Sequence, residues 1–359
     1  MKLHIYNPEH DIALAFNRPH LTVPHAAQEL RMNLGWLPAL WAEEGDVVIV
    51  DDVPYAVKAS KRSGINQADV LFLSKDEICG MPFDEVLPWG WDITQKTQLE
   101  EAGVDVGLLP SEGALIDIRH LSNRRQTTHA LQMLRLGIEE LTCGKSIYVT
   151  TTEAGRKIID TWKNVVIKAP WSSSGRGIRY VDHNLNDGIR GWIHRVTELQ
   201  GGVMVEPYYN KVKDFAMEFM AHHDGPVTFS GLSLFHTVNG AYAGNILATE
   251  NEKMEMLAHF VPESLINAII QRAISYFTHL FQHIYVGPFG IDMMIVARDD
   301  GQGFLLHPCV EINVRRTMGH VALALSSEEQ MLKKVMRIEH NVNYQLKINQ
   351  LENNFVQII

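Results

Sequence analysis

Phe289-Gly-Ile-Asp292, a Gly-containing turn, and then Cys309-Val-Glu311-Ile-Asn313-Val-Arg315-Arg316 form the most informative stretch of this chain. Both segments lie in β-rich runs, residues 291–297 and 304–314, and Arg298-Asp-Asp-Gly-Gln-Gly303 reads as the turn that joins them. Alternation along a strand puts Glu311, Asn313 and Arg315 on one face, and Asp292 on the preceding strand can lie beside them. Two carboxylates and an amide oxygen are hard donors that suit Mg²⁺ held against substrate phosphates. An arginine just beyond them suits a transferred phosphoryl or acyl phosphate. A structural ion pair would not need the amide at that spacing, so the functional reading leads.

Two upstream segments carry compatible chemistry. In Val166-Ile-Lys168-Ala-Pro-Trp-Ser172-Ser173-Ser174-Gly175-Arg176-Gly177, a lysine ends a strand and can reach phosphate oxygens as a point charge. The small residues after it offer bare backbone amides and hydroxyls to the same oxygens, and Arg176 adds charge. Alone, this stretch reads equally well as a flexible surface loop. In Val203-Met-Val-Glu206-Pro207-Tyr208-Tyr209, a strand ends in an acid and a proline, and Asp214 follows eight residues after Glu206. Such a strand can present a backbone edge to a purine and a carboxylate to ribose hydroxyls, although alone an ordinary strand connection explains it better.

Other apparent motifs fail. Gly144-Lys145-Ser146 ends like a phosphate-binding loop, but Gly137 is two residues too far upstream and the order is helix before strand. His279 and His283 are four apart on the strongest helical stretch, residues 264–285, but no third ligand follows at a suitable spacing.

Taken in order, the three segments resemble the ATP-grasp superfamily, which includes D-alanine–D-alanine ligase, glutathione synthetase and biotin carboxylase; the likeness spans roughly residues 111–326. The fold so implied is α/β (α+β). An N-terminal parallel α/β domain, residues 1–110, precedes an ATP-grasp domain of two α+β subdomains, 111–205 and 206–359, with the nucleotide between them. The resemblance implies ATP as cosubstrate and Mg²⁺ (or Mn²⁺) held by Asp292, Glu311 and Asn313. It places Lys168 on the phosphates, residues 172–177 as a lid, Glu206 to Tyr209 around adenine and Asp214 on the ribose. Arg124, in Ser122-Asn-Arg124-Arg125 at the start of a helix, takes the place of the basic residue that reaches the α-phosphate. Arg315, with Arg316, would stabilise an acyl phosphate.

The expected reaction is ATP-dependent ligation of a small carboxylate to an amine or thiol through an acyl phosphate. A small-molecule kinase and a nucleotide-binding regulatory protein are the rivals. The residues nominate no acceptor base, and Asn7-Pro-Glu-His-Asp11 after the first strand reads equally as a substrate contact or a polar turn.

Composition agrees. The chain has 359 residues, 46% hydrophobic and 21% charged, which fits two or three globular units and excludes wholesale disorder. With 32 basic against 42 acidic residues the net charge is −10, so neither nucleic acid nor an anionic membrane is an expected partner. Three scattered cysteines, no apolar run of bilayer length and an early polar N-terminus lead to the expectation of a cytoplasmic protein; a homodimer is left open.

Overall fold

The computed structural model describes residues 1–172, 177–238, 241–326 and 334–350. Within them the chain builds three sheets. The first is parallel, in the order β3-β2-β1-β4, from β1 (Lys2–Ile5), β2 (Val47–Ile49), β3 (Leu71–Leu73) and β4 (Glu85–Pro88). Four helices belong to this unit: α1 (His10–Phe16), α2 (His25–Leu34), α3 (Val53–Ser63) and α4 (Ile93–Glu101). β4 lies within residues 82–92, whose Pro and Gly content predicts a loop. It survives as a strand because it is an edge, where Pro88 has no ladder partner to disappoint on its outer side.

Helices α5 (Glu112–Leu121) and α6 (Arg125–Arg135) follow. The sequence predicts one helix, capped by Ser122-Asn123 and running towards Leu141. Instead the Ser122 hydroxyl donates to the Ile118 carbonyl at the end of α5, and α6 stops before Gly137, whose φ is 76°. The second sheet, in the order β5-β8-β6-β7, comprises β5 (Ile147–Val149), β6 (Asn164–Lys168), β7 (Ile178–Asp182) and β8 (Val203–Pro207). With α7 (Thr152–Trp162) and α8 (Asp187–Gln200) it encloses a core of its own, including Val149, Ile159, Ile167, Ile193 and Val205.

The third sheet has seven strands in the order β13-β12-β9-β10-β11-β14-β15. They are β9 (Lys211–Ala221), β10 (Thr228–Val238), β11 (Ala241–Leu247), β12 (Gly287–Ala297), β13 (Phe304–Asn313), β14 (Lys334–His340) and β15 (Tyr344–Gln350). Helices α9 (Glu250–Ala258), α10 (Glu263–Phe281) and α11 (Met318–Leu325) complete the chain. β9 shows how this sheet sorts its faces. Phe215, Met217 and Phe219 pack into the core shared with α5, α6 and α10, whereas Asp214, Ala216 and Glu218 alternate onto the other face. That polar face lines a cavity.

A further apolar cluster joins the first sheet to the third. Tyr6, Val48 and Trp89 pack with Leu247, Met336 and Val321 of the seven-stranded sheet and α11. The N-terminal unit is therefore sealed against β11, β14, β15 and α11, while residues 147–207 keep a separate core. Among the described residues no helix is long and apolar enough to cross a membrane.

Candidate functional site

Strand register sets the layout. Across β13, β12 and β9, Glu311 stands opposite Asp292, which stands opposite Ala216. The next row pairs Asn313 with Gly290 and Gly290 with Glu218. In the other direction, Met294 pairs with Asp214. The face therefore runs from Asp214, through the Asp292–Glu311 pair, to Glu218 and Asn313. It floors a cavity of about 1010 Å³ that Lys168, Ser172, Glu206, Pro207, Tyr208 and Tyr209 also line.

Two carboxylates directly opposite on neighbouring strands repel each other. Asp292 answers by holding its proton up to about pH 7, through burial first and the Glu311 charge second. Asn313 hydrogen-bonds Asp292, and its Oδ1 accepts from Arg315 Nη2 at 3.0 Å. Among the described residues no three His, Cys, Asp or Glu side chains cluster for a metal, so the donor set is two carboxylates and an amide oxygen. It fits a hard divalent cation, which would relieve the repulsion that burial now handles by protonation.

The cations are already partnered by acids. Lys168 Nζ lies 2.6 Å from Glu206 Oε2, and Glu206 also accepts from the Ser146 hydroxyl at 3.1 Å. Arg124, buried at the start of α6, spans Ala169 O at 2.7 Å, Ser172 Oγ at 2.7 Å, Ser172 O at 2.8 Å and Glu311 Oε1 at 2.5 Å. Asp214 accepts from Lys211 at 2.5 Å and from the Thr237 hydroxyl at 2.7 Å. Tyr208 stays 58% exposed and meets Tyr180 edge to face, an aromatic pair at the mouth of the cavity.

Arg315 and Arg316, just past the end of β13, part company. Arg315 lines the cavity and grips Asp11 through Nη2 at 2.8 Å and Nε at 3.1 Å. Arg316 is not among the cavity-lining residues: its guanidinium lies over the Trp41 ring at 4.4 Å and its amide donates to Trp89 O. The expectation that Arg316 joins Arg315 on the reacting group is therefore corrected. Gly177 serves by lacking a side chain, since a Cβ there would collide with Ser172. Ser173, Ser174, Gly175 and Arg176, expected in a lid, lie outside the described residues.

Sequence reasoning left Asn7 to Asp11 open. Asn7 and His10 are bound into a buried knot with Asp92, at 3.3 and 3.0 Å, whereas Asp11 turns to Arg315. Glu218 was missed. Its signal is the alternation along β9, which places it on the same face as Asp214.

No protein-family model and no curated protein matches the sequence. Solved structures do match. The ADP complex of N5-carboxyaminoimidazole ribonucleotide synthetase superposes with a TM-score of 0.50 at 13% identity, over 99% of this chain and 93% of that one. Biotin carboxylase from Campylobacter jejuni, a nucleotide complex, gives 0.50 at 12% over 94% and 75%. The biotin carboxylase domain of the Hydrogenobacter thermophilus 2-oxoglutarate carboxylase, with ADP, its magnesium salt and bicarbonate, gives 0.50 at 12% over 94% and 74%. With its parallel N-terminal sheet, small antiparallel unit and seven-stranded sheet, the chain has the fold of the ATP-grasp superfamily.

Proposed function

We propose that this protein is an ATP-dependent ligase that phosphorylates a carboxylate and passes the acyl group to an amine or thiol. The observation that carries the reading is the Asp292–Glu311 pair, two acids facing each other across β12 and β13 in the floor of the cavity. Such a pair is costly without a cation, and the acid–amide set suits Mg²⁺ (or Mn²⁺). The ion, when bound by Asp292, Glu311 and Asn313, would screen the charge of nucleotide phosphates.

The remaining roles belong to the chain. Residues 206–209 would receive adenine and Asp214 the ribose. Lys168 and Arg124 would give the phosphates positive charge, exchanging carboxylate partners for phosphate oxygens. Ser172 would add a hydroxyl. Arg315, at the far end of the nucleotide's path, would hold the acyl phosphate through a planar, always-charged fork. These groups position and neutralise, which is most of what phosphoryl transfer asks of a protein.

The test is ADP release with Mg²⁺ across a panel of small carboxylates, with hydroxylamine as a general acceptor. A hydroxamate formed from one carboxylate supports the acyl phosphate. A stable phosphate ester on a hydroxyl compound, with no hydroxamate from any carboxylate, would make the protein a kinase.

A further inference from the structure

Beyond the metal pair the cavity ends at a carboxyl group that the roles above leave unused. Glu218 is 1% exposed, yet it lines the cavity floor two residues past Ala216, on the side away from Asp214. Two glycines make room for it. A Cβ on Gly290, its cross-strand neighbour, or on Gly319, in the first turn of α11, would run into the Glu218 carboxyl. Thr317 caps α11 by accepting from the Gly319 and His320 amides, and it also hydrogen-bonds Glu218.

Among the described residues Glu218 has no cation of its own, and its Oε2 makes no hydrogen bond, although His320 Nδ1 lies 3.1 Å away. That nitrogen accepts from the Thr317 amide at 3.2 Å, and Nε2 faces the Phe219 carbonyl at 3.3 Å, so Nδ1 carries a lone pair rather than a proton. Burial keeps the imidazole neutral, with its pKa down to about 3. The other charged groups acting on Glu218 are Asp292 on β12 and Arg315 and Arg316 after β13. Burial outweighs the two arginines and pushes the carboxyl up to about 8. A buried acid with an unbonded oxygen, cradled by bare backbone at the end of a cavity, is built to meet a ligand that brings its own protons.

We propose that Glu218 receives the acceptor nitrogen, that the acceptor is an amine arriving as its ammonium ion rather than a thiol, and that Glu218 takes the proton whose loss makes it nucleophilic. The inference rests on the ligase reading above. The arriving cation offsets the burial and brings the carboxyl into its ionised form, and one ammonium proton then passes to Glu218 Oε2. The freed lone pair attacks the acyl carbon, and the C–N bond forms as the C–O bond to phosphate breaks, its electron pair leaving on the phosphate oxygen. The second surplus proton goes to the departing phosphate, and Glu218 returns its own to water.

The experiment compares two acceptors on the carboxylate that gives a hydroxamate with the wild type. Hydroxylamine is mostly neutral at neutral pH and needs no base; ammonium, the smallest cationic nitrogen, does. Glu218→Gln should cut kcat/KM for ammonium by about 10²-fold, the usual size of a general-base contribution, and hydroxamate formation by at least about tenfold less than that. The position of His320 Nδ1, 3.1 Å from Glu218 Oε2, favours folding of this variant, since a Gln Nε2 can donate to it. Unchanged ADP affinity checks that it folds, and Glu218→Asp should restore part of the ammonium activity. Equal losses with both acceptors, no loss with either, or no amide from ammonium in the wild type would overturn the inference alone. Absence of any hydroxamate from the wild type would instead overturn the ligase reading, and this inference with it.

Discussion

Glu311 has two claims on it, and its replacement separates them. In the structure its carboxylate neutralises Arg124, while its register opposite Asp292 suits a cation. Glu311→Gln removes the charge and keeps the shape. If Glu311 helps hold Mg²⁺, ADP affinity should lose most of its dependence on the metal, a fall of about tenfold or ~1.4 kcal/mol in the Mg²⁺ increment. Arg124, released from its carboxylate, should at the same time bind phosphate no more weakly, so affinity in EDTA should hold or rise. Calorimetric titration of ADP into both proteins, with Mg²⁺ and with EDTA, reads the two effects apart. An unchanged Mg²⁺ increment in a folded Glu311→Gln protein would remove Glu311 from the metal site. Arg315 presents a different case. Its pairing with Asp11 joins α1 to the end of β13, so this arginine is held in place by the N-terminal unit before any substrate enters. A preset charge of this kind costs little reorganisation when charge develops nearby.

At the level of elements, α11 shows function written into a helix start. Gly319 lies in its first turn, where alanine would ordinarily favour the helix by roughly 1 kcal/mol. Here an added Cβ would strike Glu218 and the Ser233 hydroxyl. Overpacking of that sort costs typically about 1–3 kcal/mol, so Gly319→Ala should destabilise the protein in urea unfolding despite the propensity gain. Combining it with Glu218→Ala should recover much of the loss, as expected for side chains that share one space. If Gly319→Ala stabilises, the cradle is looser than the backbone implies. The same elements show what can be read from sequence. Strand alternation made Asp292, Glu311 and Asn313 legible, because a period of two is a local property. The same alternation along β9 carries Glu218, on the face that holds Asp214. β4 was illegible because Pro and Gly mark loops on average, and only its edge position exempts it. The direction of Arg316 was lost for a related reason: Trp41, on which it stacks, is distant in sequence and supplies no local signal.

For the whole molecule, the arrangement of cores predicts which part moves against which. The first sheet and the seven-stranded sheet share a cluster through Tyr6, Trp89, Val321 and Met336, so they should open together. Residues 147–207 have a core of their own, and polar and ring contacts fasten them to the rest. Arg124 grips Ala169 and Ser172, Arg119 lies 3.9 Å from the Trp171 ring centre, and Arg125 lies 5.1 Å from that of Tyr148. Arg124 is the central fastening, since its guanidinium links this unit to Glu311 of the seven-stranded sheet. Arg124→Ala should therefore raise amide exchange across β6 and β8 and leave β1, β2 and β12 nearly unchanged. Losing a hydrogen bond from a charged group costs about 1.5–3 kcal/mol, which corresponds to a rise of about 10- to 10²-fold in local opening. Arg124→Lys keeps the charge but replaces a planar fork by a point donor, and should restore only part of the protection. ADP with Mg²⁺, bound between the two units, should slow exchange in β6, β8 and β13 of the wild type together. Uniform acceleration throughout the chain in Arg124→Ala would instead mean that the three sheets form one cooperative body, and that nucleotide entry needs no hinge at residue 124.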